Sequence, residues 1–380
     1  MPDKSFAVSI EPEVLIWARE SIGMEPKDVV KEIKKITTTT IENWEKGKAN
    51  PTFSQLERLA FIYKRPITAF LLPTPPKEPS FPTDYRTLPS EKKKPLHPKT
   101  HLAIRKARRF QYSTIELMKE LDEPIQKLSL RASLSDNPEE LAEKIKGQLG
   151  VKGFPVSFTT DTALEEWIKI LGKNGILVFQ ISITQNKEIR GLSLVGEEVP
   201  VVILKRSDEP SAKIFTLFHE FAHLLLREGG ICDLKEDETQ NIERFCNRFA
   251  GAFLAPKDKL LNHPVVKANE KLKEWSDHIL KDIAQDFKVS PEVILRRLLI
   301  LGLTTKEYYH SKHEEWKSKY KEPFGGRGKK NEIKICIQER GKKYVSMVFG
   351  AYEQNKIDNI SAADYLGVTL DKISKVKEAI

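Results

Sequence analysis

Ile214-Phe215-Thr216-Leu217-Phe218-His219-Glu220-Phe221-Ala222-His223-Leu224-Leu225-Leu226 is the stretch on which the fold turns. Its apolar residues fit a helix, and inside it His219, Glu220 and His223 spell H-E-x-x-H. Residues four apart share one face of a helix, so both imidazoles reach a single ion while the glutamate stands beside them. A chance pentad would arise in roughly one chain in a hundred of this length. The surroundings are more telling. A plain helix with two surface histidines leaves unexplained why both lie in an apolar stretch, where uncompensated polar groups are costly.

Zinc needs a third protein ligand and keeps its fourth position for water. Glu243 is the expected ligand, on a second helix over Asp237–Leu254 whose core stripe is Ile242, Phe245, Phe249, Ala250 and Phe253. Asn247, four residues on, is placed to steady the carboxylate or a neighbouring backbone group. Glu236 and Glu238 are alternatives in a polar connection that suits rigid ligation less well. Cys246 is close enough in sequence to approach the metal, but reads better as a small buried core residue. Zinc itself is inferred from the ligand types. With such an ion acidifying a water and polarising a carbonyl, Glu220 would take the proton and pass it to the leaving nitrogen. No His or Tyr stands out as a further oxyanion donor.

Upstream, a helix over Thr162–Leu171 should end at Gly172. Three strand-type runs follow: Ile176–Ile183, Arg190–Val195 and Val199–Leu204, the last two split by Gly196-Glu197-Glu198 as a hairpin turn. A small sheet beside the metal helix is expected. An edge of such a sheet can align substrate as an added strand, but the sequence does not say which strand is the edge.

The first 72 residues read as short helices. Val14, Leu15, Ala18 and Ile22 mark one, Pro26 opens a second, Thr37 caps a third that passes Ile41 and Trp44 to stop at Gly47, and Phe53–Tyr63 forms a fourth. These are the parts of a helix-turn-helix, whose second helix enters the major groove N-terminus first. The run Thr37-x-x-Thr40-Ile41-x-x-Trp44-Glu45-x-Gly47-x-x-x-Pro51-Thr52 resembles the Cro/repressor (Xre) class. Thr37, Thr38, Thr39, Asn43 and Lys46 are the candidate DNA-binding residues, with Ile41 and Trp44 in the core. Two features pull towards a protein-docking module instead: Lys34-Lys35-Ile36 lacks the glycine frequent in that turn, and Glu42, also groove-facing by position, brings negative charge towards phosphate.

Further along, the chain resembles the ImmA/IrrE family of metallopeptidases. The likeness rests on Phe215–Leu226, on Glu243-x-x-x-Asn247-Arg248-Phe249-Ala250 running to Leu254-Ala255-Pro256, on Gly191-Leu192-Ser193-Leu194 with Glu198-x-Pro200, and on Asp84-Tyr85-Arg86-Thr87-Leu88-Pro89. It implies zinc held by His219, His223 and Glu243, catalysis by Glu220, and a role in cutting or controlling repressors of mobile elements or stress responses. Fused to an Xre-type domain, it looks like the subclass that carries both modules.

The expected fold is therefore α+β and mainly helical. It comprises a helix-turn-helix bundle (1–72), a Pro-rich and basic linker (73–100), a zincin-like metallopeptidase domain with a helical scaffold and small sheet (101–310), a basic, Gly-containing linker (311–330), and a small C-terminal α or α/β interaction module (331–380). Helices are expected over Leu102–Leu121, over Pro138–Gly150 capped by Asn137, and around Ser290-Pro291. In the last module Ile333–Ile337 and Tyr344–Phe349 fit strand or helix, and Ser361–Ile380 fits two short helices broken at Gly367 with Thr369 as cap.

The formal charge of +9 is concentrated. Glu91–Arg109 holds eight basic residues against one acid, and Lys312–Lys343 eleven against five, as solvated surface or as a footprint for nucleic acid or an acidic partner. Cys232, Cys246 and Cys336 have no paired spacing, Met1–Ser9 resembles no signal peptide, and no apolar run approaches the ~20 residues that span a bilayer. A soluble cytoplasmic protein is expected. Two functions remain open. In one, a DNA-binding zinc endopeptidase, possible as a homodimer, hydrolyses a repressor or other regulatory protein. In the other, a regulator or antitoxin uses the same fold to dock a partner such as a cognate toxin, without proteolysis.

Overall fold

The computed structural model describes residues 6–33, 36–78, 83–84, 96–151, 159–183, 189–195, 199–227, 230–232, 241–319 and 331–380. The chain divides into two compact units, Met1–Phe81 with Lys93–Lys106, and Pro82–Lys92 with Ala107–Ile380.

The first unit is helical. α1 (Pro12–Glu20), α2 (Pro26–Glu32), α3 (Thr38–Glu45) and α4 (Phe53–Tyr63) bury Leu15, Ala18, Ile22, Val29, Ile41, Trp44, Leu56, Leu59 and Tyr63 against one another. The cap expected at Thr37 is present, its side chain accepting from the Thr40 backbone N–H. Arg19 joins α1 to α3 through Glu45 (Nε–Oε1 2.6 Å, Nη2–Oε2 3.0 Å) and donates to the Met24 carbonyl. Arg105 closes the end of α4, donating to the carbonyls of Tyr63 and Lys64.

The second unit is a mainly helical α+β fold of zincin type. It contains α5 (Pro98–Glu120) from Ala107 onward, α6 (Pro138–Gln148), α7 (Thr160–Lys173), α8 (Pro210–Leu226), α9 (Asn241–Leu254), α10 (Lys257–Leu261), α11 (Pro264–Ala268), α12 (Asp277–Phe287), α13 (Pro291–Ile300), α14 (Lys306–Lys319), α15 (Glu332–Glu353), α16 (Asn359–Leu366) and α17 (Ile373–Glu378). The five strands are β1 (Thr83–Asp84), β2 (Leu177–Ile181), β3 (Gly191–Leu194), β4 (Val201–Lys205) and β5 (Gly230–Cys232), in the order β1-β5-β3-β4-β2. β3 is antiparallel to β4 and β5, and the edge strands β2 and β1 run parallel to β4 and β5. The three long strands lie where hydrophobic alternation placed them. β1 and β5 were not anticipated.

α8 is buried on every side, from Lys213 to Leu225, because α7, α9, β3 and β4 all pack on it. Its Phe218 stacks on Phe253 of α9 (centroids 4.1 Å) and meets Trp167 of α7 edge-on at 5.0 Å. Asn137 caps α6 and Ser290 caps α13, as expected. A buried arginine ties α6, α9 and α13 together. Arg297, 1% exposed, pairs with Glu139 (2.6 and 2.9 Å) and donates from Nε to the Ala255 carbonyl at 2.9 Å. Arg297→Met should cost about 2–4 kcal/mol, the lower part of the range for a broken buried pair because water can reach Glu139. Urea unfolding of both proteins measures it.

The C-terminal segment is α-helical throughout its described part. The runs that fitted strand or helix form α15, interrupted at Gly341 (φ 76°, ψ 150°), where a Cβ would approach the Val178 carbonyl oxygen of β2 to 3.2 Å. Tyr344 meets Phe179 and Phe110, and Arg206 pairs with Glu339 at 2.7 Å, so this segment lies against β2 and α5. Gly367 ends α16 in the left-handed region. Thr369 makes no side-chain cap, a correction to the expected capping, and a 3-10 turn over Leu370–Lys372 precedes α17. Gly325, Gly326 and Gly328 lie outside the described residues.

Candidate metal centre

His219 and His223 project from α8 towards α9, one helical turn apart, with ring centroids 5.0 Å from each other. Glu243 comes from the first turn of α9. Its carboxylate bridges the two rings: Oε2 lies 3.2 Å from His219 Nε2 and Oε1 3.2 Å from His223 Nε2, while the two Nε2 atoms are 3.3 Å apart. One donor atom from each residue falls within 4.8 Å of the others, and all three residues are buried. Among the described residues this is the one group of its kind. Glu236 and Glu238 lie outside the described residues, as does the start of the helix expected from Asp237.

The second nitrogen of His219 explains the convergence. Its Nδ1 is 3.0 Å from Asn247 Oδ1, an acceptor, so Nδ1–H donates there and Nε2 keeps a bare lone pair facing Glu243. A lone pair directed at a buried carboxylate is repulsive unless a cation or a proton lies between them. Two imidazoles and a carboxylate also form a zinc-type donor set with room for a fourth ligand. The residues fit a divalent ion. Burial pushes the His219 pKa down, against the opposing pull of Glu243. Burial would raise the Glu243 carboxyl, but the imidazoles outweigh it and hold it well below the usual carboxylate range. Cys246 is fully buried, burial raises its thiol pKa, and it stands outside the three-residue group.

Asn247 steadies the histidine directly, more specifically than its spacing from Glu243 suggested. Asn247→Leu should weaken zinc affinity about 10–100-fold with little change in backbone structure. Competition against a chromophoric chelator measures this; an unchanged affinity would remove Asn247 from the metal site.

Glu220 faces the sheet. It is fully buried, and a Cβ added to Gly191 on β3 would fall 3.1 Å from its Oε1 and 2.4 Å from Thr216 Cγ2. Gly191 therefore permits the close approach of strand to helix beside this carboxylate. A glycine inside a strand-type run is the sequence signal for such an approach.

The candidate DNA-binding residues are separate from this centre. Thr37, Thr39 and Lys46 are exposed, and Thr38 and Asn43 are half-buried on α3. Lys46 Nζ lies 3.5 Å from Glu42, so part of its charge is met on its own helix.

A central helix with two histidines, a carboxylate from the next helix and a mixed sheet alongside define a metallopeptidase-type domain. Residues 172–299 match the peptidase M78 family, described as the IrrE N-terminal-like domain. The match runs from the end of α7 through α13 and takes in all the residues of the centre. No curated protein matches the chain. Among the described residues, no helix is long and apolar enough to cross a membrane.

Proposed function

We propose that this chain is a zinc metalloendopeptidase that cleaves a regulatory protein, with an N-terminal helix-turn-helix unit that binds DNA. The observation that carries the peptidase reading is the convergence of His219, His223 and Glu243 donor atoms within 4.8 Å, next to the buried Glu220. A zinc ion held there supplies Lewis acidity, polarising a carbonyl and acidifying a water molecule. Glu220 accepts the proton that the attacking water loses and delivers it to the leaving amine. Asn247 fixes the His219 ring so that Nε2 is the ligating atom. His219, buried and with a lowered pKa, stays neutral near pH 7 and so retains that lone pair.

DNA binding is supported by the capped N-terminus of α3 and the exposed Thr37, Thr39 and Lys46. Operator affinity should fall in an Asn43→Ala/Lys46→Ala protein. The peptidase reading is tested by measuring zinc in the purified protein and incubating it with the repressor-type protein encoded beside it. Zinc with cleavage supports the proposal. Zinc with a stable complex and no cleavage favours a docking scaffold of the antitoxin kind, and a protein that takes up no zinc ends the peptidase reading.

A further inference from the structure

Both edges of the sheet are covered by the chain itself, unequally. Along β2 the cover is α15, with Gly341 at the Val178 carbonyl and Tyr344 against Phe179. At the other edge it is β1, two residues long, pairing Thr83 with Gly230 and Asp84 with Ile231 in parallel. Strands commonly run ~5–6 residues and parallel pairing is the weaker kind, so β1 is held by very few hydrogen bonds. β5, which it covers, pairs Cys232 with Gly191, the residue packed against Glu220. Neighbouring strands are ~4.8 Å apart, which puts β1 roughly 10 Å from the strand beside that carboxylate.

The source of β1 is also unusual. It comes from the stretch after the proline-rich segment, far from the other strands in sequence and outside the matched residues 172–299. The peptidase-type domain thus has its sheet edge completed by chain that the matched domain does not include. A sheet edge accepts an extended polypeptide through main-chain hydrogen bonds, and an incoming segment of ordinary strand length would form more of them than β1 does. We propose that the edge of β5 is a docking site for an extended polypeptide segment, and that Thr83–Asp84 is its exchangeable resident, displaced when such a segment arrives. That the incoming segment is a substrate rests on the peptidase reading; the exchange does not.

The test uses the full chain and two variants. Thr83→Pro/Asp84→Pro removes both strand N–H groups, and Thr83→Gly/Asp84→Gly weakens the strand without removing them. Amide hydrogen exchange is followed at Gly230–Cys232, and binding of a labelled synthetic peptide with the sequence of residues 81–88 is measured by anisotropy. In the proline variant, protection at Gly230–Cys232 should fall about tenfold and return when peptide is added, while Leu177–Ile181 stays protected. The peptide should bind that variant at least tenfold more tightly than the unaltered protein, whose edge is filled, with the glycine variant between them. Unchanged protection at Gly230–Cys232, or an intact sheet that binds no peptide, would overturn the proposal. So would loss of protection at Leu177–Ile181 in both variants, since an exchangeable strand is one the sheet survives without. No readout requires metal or turnover, so this proposal and the peptidase reading fail separately.

Discussion

Glu220→Gln is expected to lower turnover about 10²–10⁴-fold while leaving zinc content unchanged. Glutamine keeps the shape of a side chain that is completely buried and closely bounded by Gly191 and Thr216, so packing of β3 on α8 survives. An amide cannot accept the proton that the attacking water must lose. Because Glu220 lies on the sheet-facing side of α8, outside the three-residue donor group, metal uptake should be indifferent to the change. Alanine would be a poorer choice, since it also opens a cavity. The measurement is kcat beside zinc stoichiometry on the same preparations. Cleavage surviving in the glutamine protein would mean that another group is the base.

Glu243→Ala should have the largest effect on metal binding, reducing one bound zinc per chain to near none after dialysis. The carboxylate is the sole anionic donor of the group, and its loss leaves two neutral imidazoles with a bare lone pair on His219 Nε2. Zinc that binds only the folded state stabilises it by about 2.7 kcal/mol at a hundredfold excess over Kd. Added zinc should therefore raise the Tm of the unaltered protein, and chelator should lower it, whereas the alanine protein should respond to neither. Equal calorimetric titrations for the two proteins would take Glu243 out of the ligand set. Thermal response and metal content are read without substrate, so the result stands apart from the question of turnover.

The parts of the fold that the sequence made legible are those with local causes. Thr37, Asn137 and Ser290 announce helix starts because a short polar side chain satisfies an otherwise open N–H. The metal helix and β2, β3 and β4 follow from hydrophobic period. What stayed hidden depends on partners distant in sequence. β1 and β5 are too short to show any period, and without them the sheet order and its edges could not be assigned. α15 was ambiguous because Ile333–Ile337 alternates like a strand and Gly341 breaks the helix in its middle, and packing against Phe110 and Phe179 decides the outcome. Within the site, helical spacing brought Glu220, His219 and His223 together, and the stripe on α9 pointed to Glu243. The pairing of Asn247 with His219 needs the crossing of two helices, which no local pattern records.

The cover that α15 lays over β2 bears on how fragments of this protein should be judged. A clone trimmed to residues 172–299 would keep every residue of the donor group and look like a minimal catalytic cassette. It would also take Tyr344 and Phe110 away from Phe179, Glu339 from Arg206 and Glu139 from Arg297. The β2 backbone would be open to pairing with another molecule, and a buried guanidinium would lose its counter-ion. Such a fragment should precipitate or misassemble, and its silence in an assay would report on missing scaffolding, with no bearing on chemistry.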